Sequence, residues 1–284
     1  MSAAKTNNKI TLRRIFHPTD LSELSAAAFA HALKLAIANK GLLTIMHANQ
    51  HKENTTWDDF PMVRETLRGW GVLPESDIQG RDMHKIGIEV QKVIGAVHDP
   101  VESIIEYLAA HVEDLIVLTT HQRKGDFGLS RRAVAEPVAR THHASTLFVP
   151  VGVDGFVSAD DGSIKLKNIL IPVDSKPKAH KALAVVSELV RSLGVKDAEF
   201  TLLSVGDKGM PLLHPEQQDD WNWQKLTTDG SVVSSILTSA ESIKADLIVM
   251  PTAGHHGFLD AVRGSTTEMV LRETTCPLLA VTSS

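Results

Sequence analysis

ADLIVMPTAGHHGFLDAVRGS, residues Ala245 to Ser265, opens with an apolar run, Leu247–Met250, of the kind expected for a parallel strand buried on both faces. The run breaks at Pro251 and gives way to small residues and glycines, Thr252, Ala253, Gly254 and Gly257, before closing on Gly264-Ser265. A helical pattern, Thr266–Arg272, starts directly behind it. Strand, glycine-bearing loop and hydroxyl-led helix start together make a phosphate cradle in an α/β protein. Glycine lets the backbone approach the phosphates, and the free N–H groups and dipole of the helix N-terminus favour an anion. The same letters also have a purely structural reading: Ser265, with Glu268 three residues on, spells a capping box that closes a helix without any ligand.

Working outward, the stretch has a partner. ADLIVMPTA from Ala245 pairs with EDLIVLTTH from Glu113, at an offset of 132. IPVDSKPKAHKALAVVSELV from Ile171 pairs with HPTDLSELSAAAFAHALKLA from His17, so Asp174 lies 154 residues after Asp20. The offsets differ because the first copy has a longer middle, between Asn49 and Met83. The chain therefore divides into one copy over 1–151, a Gly-, Asp- and Ser-rich linker over 152–163, and a second copy over 164–284.

In the first copy the patterns predict strands at 14–16, 42–46, 88–94, 115–119 and 146–151, and helices at 22–40, 101–111 and 134–141. Ser22 is read as the cap of the first helix and Gly41 as its stop. The second copy predicts strands at 168–173, 200–205, 223–227, 247–250 and 278–281, and helices at 178–193, 231–243 and 266–273. Phe29, Leu33, Ala36 and Ile37 fall at helical spacing and are read as core; Trp221 and Trp223 alternate, one toward the crevice and one toward the core. Strands alternating with helices give, in each copy, an open five-stranded parallel sheet with helices on both faces. Ligands bind such sheets beyond the carboxyl ends of the strands, where strand order reverses. That places the chemistry at Asp174, Val205, Asp229-Gly230, Pro251–Gly254 and Gly264-Ser265.

Composition narrows the class. The chain is 43% hydrophobic, enough for packed cores, with a formal net charge of −5 and no basic stripe of the kind nucleic acid requires. A single cysteine, Cys276, excludes an internal disulfide, fits a reducing compartment and is read as a buried small residue. No apolar run is long enough for a signal core or a membrane span, so the expectation is a cytoplasmic protein with no membrane partner.

On these residues both copies resemble the universal stress protein family, in its tandem arrangement. The family's nucleotide-binding members carry G-x2-G-x9-G-[ST] after the fourth strand and an Asp after the first. Here the second copy reads Pro251-x2-Gly254-x9-Gly264-Ser265, with Asp174 in the segment IPVD. The resemblance implies two Rossmann-like domains of adenine nucleotide α-hydrolase type and ATP, with Mg²⁺, in the second. Pro172, Val173, Asp174 and Val205 would hold adenine, with Gly230 at the same edge; Gly254, Gly264, Ser265 and Thr266 would hold the phosphates. Pro251 departs from the motif, supplies no N–H and fixes φ, which bears on the ribose-side contact. The first copy has Thr119, Gln122, Arg132 and Ala133 at the motif positions, so it is expected not to bind ATP in the family manner. Family members commonly dimerise through their fifth strands. Here 146–151 and 278–281 would make that contact inside one chain, giving a pseudo-dimer, or a homodimer of such chains.

Fourteen histidines is a high count, and His17, His47, His98 and His121 fall at or just past carboxyl ends of first-copy strands. Together with Asp20 or Asp99 they are candidate ligands for a zinc-type ion, against the plainer reading that they are packed or solvated imidazoles. Three functions follow: a regulatory ATP-binding protein with slow or absent turnover, a slow Mg²⁺-dependent ATPase, or a first domain that binds a metal or another small ligand. No Walker lysine occurs, and His255 and Asp260 are the only general-base candidates within the loop.

Overall fold

The computed structural model describes residues 10–48, 55–76, 83–95, 99–120, 144–207, 209–218, 220–252 and 265–283. Its strands are β1 (Arg14–Pro18), β2 (Leu42–Ala48), β3 (Glu89–Gly95), β4 (Leu115–Thr120) and β5 (Ser145–Pro150) in the first copy. The second copy supplies β6 (Asn168–Pro172), β7 (Glu199–Val205), β8 (Asn222–Thr228), β9 (Leu247–Thr252) and β10 (Leu278–Thr282). The helices are α1 (Ala26–Asn39), α2 (Val63–Gly69), α3 (Met83–Ile86), α4 (Pro100–Ala110), α5 (His180–Ser192), α6 (Val232–Ser242) and α7 (Thr266–Glu273). The predicted helix at 134–141 lies outside the described residues.

All ten strands form one sheet, ordered β3-β2-β1-β4-β5-β10-β9-β6-β7-β8. Each half is parallel, and the halves meet at an antiparallel pair, with Leu278 opposite Phe148, Leu279 opposite Leu147 and Ala280 opposite Thr146. This is the intramolecular fifth-strand contact expected from the sequence, and it covers two edges that would otherwise template further pairing. Two hydrophobic cores result, one per face, and each runs through both copies. Helices α1 and α5 pack on one face; α4, α6 and α7 cover the other.

A repeated device pins the amino ends of the inner strands. Asp114 Oδ2 accepts from the N–H groups of Arg13 and Arg14 at 2.8 and 2.9 Å. Asp246 Oδ2 does the same for Lys167 and Asn168, at 2.8 Å each. These carboxylates satisfy N–H donors ahead of the ladder, which is why both strand openings read D-L-I-V.

Three local expectations are corrected. Ser22 opens a short 3-10 turn, Glu23–Ser25, but makes no cap bond; its Oγ donates to Asp20 Oδ1 instead. The left-handed residue that ends α1 is Lys40 (φ 48°), not Gly41. Gly41 is needed for another reason, since a Cβ there would lie 2.1 Å from the carbonyl oxygen of Arg13. Trp221 and Trp223 do not divide between crevice and core: both pack on Phe200, with ring centroids at 5.2 and 4.0 Å. The expected core of α1 holds, with Phe29, Leu33 and Ala36 buried and Ile37 partly so.

The connection between the copies is built into the fold. Phe156 and Val157 are fully buried, and both N–H groups donate to His31 Nε2, at 3.0 and 3.2 Å. His31 Nδ1–H in turn donates to the Ala27 carbonyl at 2.7 Å, which fixes the neutral tautomer. Trp70, after α2, donates from Nε1 to the Ala159 carbonyl at 3.0 Å. The long middle of the first copy thus helps hold the connection.

Candidate functional site

Strand order reverses twice, between β1 and β4 and between β6 and β9. At each reversal the inner strands stay paired over two positions and then part. In the second copy the pairs are Ile169–Leu247 and Leu170–Ile248; in the first they are Ile15–Leu115 and Phe16–Ile116. The flanking pairs continue to the carboxyl edge, as far as Thr252–Thr282 and Pro172–Leu203. A gap therefore opens at that edge in each copy, in the place where open α/β sheets take ligands.

The second gap collects most of the expected residues. Pro172 ends β6, and the N–H of buried Val173 donates to the Leu203 carbonyl at 2.8 Å, holding the lip against β7. Asp174 follows, exposed, its Oδ1 accepting from Ser175 N–H and Oγ at 2.5 and 3.1 Å. Val205 ends β7, half-buried. Beyond β8, Gly230 has φ +109°, a backbone few other residues adopt, and a Cβ there would meet only Ser235 Oγ, at 3.9 Å. Gly254 and Gly264 lie outside the described residues.

Pro251 sits in β9 opposite Val281. The Ile248 N–H donates toward β10, to the Pro277 carbonyl, so alternation along the strand turns position 251 toward β6. There the strands have already parted, so the missing N–H breaks no ladder bond. What proline removes is a donor on the gap side.

Helix α7 connects the parallel strands β9 and β10, so its N-terminus returns to the carboxyl edge. Ser265 caps it, accepting from Glu268 N–H at 3.2 Å. The Glu268 carboxylate pairs with Arg272. Thr266 and Thr267 precede the first intrahelical bond, so their N–H groups point outward.

The first gap keeps the frame but differs in chemistry. Thr19 N–H donates to the Met46 carbonyl at 2.9 Å, matching Val173. Asp20 Oδ1 accepts from Ser22 N–H (3.0 Å), Ser22 Oγ (2.7 Å) and Ser25 Oγ (2.9 Å), a closed lip. His17 is fully buried, its ring across from Phe29, with Nδ1 3.0 Å from the Val117 carbonyl. Burial pushes its pKa down from 6.5 to about 4, so the ring is neutral. His47 Nδ1 lies 3.0 Å from the Thr19 carbonyl. His98 and His121 lie outside the described residues, as do Gln122, Arg132 and Ala133. Among the described residues no three His, Cys, Asp or Glu side chains are grouped as a metal site would require.

Comparison with known proteins assigns the frame. The universal stress protein family profile matches residues 11–150 and 212–282, well over half of the chain. The chain belongs to the universal stress protein family. The first copy is matched along its length, whereas the second is matched from residue 212, beyond β6 and Asp174. Over 141 residues the chain is 28% identical to a universal stress protein of Synechocystis, a match spanning 42% of this chain and 88% of that protein. Over 55 residues it is 44% identical to universal stress protein A homolog 1 of Coxiella burnetii, spanning 19% of this chain and 38% of that protein. A solved universal stress protein from Archaeoglobus fulgidus superposes with a TM-score of 0.61 at 19% identity, over 96% of this chain and 98% of that one. That likeness is one of fold. Among the described residues no helix is long and apolar enough to cross a membrane.

Sequence reasoning missed His31 and the Asp114/Asp246 pair. A histidine between the core positions Phe29 and Leu33 of a helix, and an aspartate opening each apolar strand, were the available signals.

Proposed function

We propose that this stress protein is a cytoplasmic regulatory ATP binder whose second crevice holds the nucleotide and turns it over slowly or not at all. The observation that carries the reading is the gap between β6 and β9, with the Ser265-capped N-terminus of α7 returned to the same edge. Adenine would lie by Asp174, between Val173 and Val205. The phosphates, with Mg²⁺ as counter-ion, would face Gly254, Gly264, Ser265 and Thr266, where unpaired helix N–H groups and the dipole favour negative charge. Pro251 withdraws one donor from this gap and leaves the helix terminus intact.

The test is mass spectrometry of nucleotide released from freshly purified, denatured protein, beside a Gly264→Asp control. About one ATP or ADP per chain, lost in the control, is the expected result. Two per chain would show that the first copy also binds; none, with no uptake of MgATP, would refute the proposal. Steady phosphate release that vanishes in Gly264→Asp would make the protein a slow ATPase instead.

A further inference from the structure

Four positions around the first gap differ in kind from their counterparts in the second. Where the second copy has Ile171, Val173, Ala179 and Pro251, the first has His17, Thr19, Ser25 and Thr119. Ile171, Val173 and Ala179 are buried in the core under α5; His17, Thr19 and Ser25 are buried at the equivalent place under α1. The same place under the first long helix of each copy is thus apolar in one copy and polar in the other.

Two of the polar groups satisfy each other. Thr19 Oγ accepts from Leu21 N–H at 3.0 Å and lies 3.3 Å from Ser25 Oγ, which itself lies 2.9 Å from Asp20 Oδ1. The other two are unsatisfied. A carbonyl only accepts, so the proton of His17 sits on Nδ1, facing Val117, and Nε2 carries a lone pair. Among the described residues that buried nitrogen has no hydrogen-bond partner, and neither does the hydroxyl of Thr119. His47, on the neighbouring strand, keeps its Nδ1 3.0 Å from the Thr19 carbonyl. Residues 15 and 117 share the α1-side core with 43 and 45, so alternation puts His17, His47 and Thr119 on that same side.

We propose that the first crevice binds a small neutral polyol or sugar, one hydroxyl of which donates to His17 Nε2 and accepts from Thr119 Oγ. A hydroxyl is both donor and acceptor, which is what this pair requires. A ribose hydroxyl would satisfy the pair as well, and the MgATP titration below separates that source from a free polyol. Half-buried Thr119 lies at the strand end and His17 deeper, so the ligand enters past Thr119.

Long-range ¹H–¹⁵N spectra of the full chain, labelled at histidine, read His17 Nε2 directly. Glycerol, glucose and myo-inositol are titrated in turn, with MgATP and zinc chloride as contrasts. At least one polyol is expected to move the His17 Nε2 resonance saturably, and Thr119→Val to weaken that polyol about ten-fold. His17→Ile, which copies the second crevice, should abolish polyol binding by calorimetry and leave MgATP uptake unchanged. A response to zinc or MgATP alone overturns the proposal, and so does silence to every polyol, which would mean a buried water only. Because MgATP is read separately, failure here is distinct from failure of the nucleotide proposal.

Discussion

Replacing His31 with leucine should unfasten the connection between the copies. The imidazole accepts from two fully buried N–H groups, those of Phe156 and Val157. Leucine fills similar space and accepts nothing. Each buried donor left unpaired costs about 1–3 kcal/mol, so the variant should lose about 2–6 kcal/mol at pH 7.5. The pH dependence gives an independent signature. Burial holds the folded-state pKa of His31 at about 4, against 6.5 in the unfolded chain. Between those values the unfolded state binds a proton that the native state refuses, so stability is full above pH 6.5 and declines as pH falls toward 4. The slope is about 1.4 kcal/mol per pH unit, and the whole decline about 3 kcal/mol. His17, also held at about 4, adds an equal slope. Urea unfolding of the full chain at several pH values from 7.5 to 4.5 should therefore show His31→Leu both less stable at pH 7.5 and about half as steep below 6.5. An unchanged slope would mean that His31 titrates normally in the native state. An unchanged midpoint at pH 7.5 would mean that its two hydrogen bonds do not hold the connection.

His17→Ile should behave differently: it removes an unsatisfied acceptor along with one good bond, so stability at pH 7.5 should stay within about 1 kcal/mol of wild type while the acid slope flattens. A large loss by urea unfolding would show that the Val117 bond outweighs the orphaned nitrogen. Asp246→Ala strips the partner from the N–H groups of Lys167 and Asn168 and should cost about 2 kcal/mol. Asp114→Ala should cost a similar amount, and the double variant should be additive, since the two sites share no partner. Burial pushes the Cys276 thiol up to about 11, so iodoacetamide at pH 8 should label it only as the chain unfolds; rapid labelling of native protein would contradict that burial.

The sheet was legible in the sequence because parallel strands buried on both faces leave unbroken apolar runs, as at Ile15-Phe16, Leu115–Leu118, Ile169–Ile171 and Leu247–Met250. Helix α7 was also legible at both ends, since Ser265 and Glu273 bound a short amphipathic pattern with a recognisable cap. The carboxyl-edge residues of the second crevice followed from topology alone: once strand order is known, Asp174, Val205, Gly230 and Pro251 must share an edge. Tertiary partners were not legible. Nothing local distinguishes a glycine that ends a helix from one that makes room for the Arg13 carbonyl, and nothing local shows that His31 reaches a backbone 125 residues away.

The two copies differ in a directed way. At the amino edge they repeat each other atom for atom, Asp114 holding two N–H groups as Asp246 does. At the carboxyl edge they share backbone geometry, in the paired Thr19 and Val173 N–H bonds and the two-position strand pairing before each gap. Their side chains part company there. A frame kept at one end and rewritten at the other follows from the architecture, because a parallel sheet is stabilised by its buried runs and tolerates change where its strands separate. The polar floor under α1 works against stability: an unpaired acceptor in a dry pocket costs about 1–3 kcal/mol that Ile171 avoids in the other copy. That cost, borne by His17 and absent at Ile171, is what the proposed hydroxyl ligand would offset.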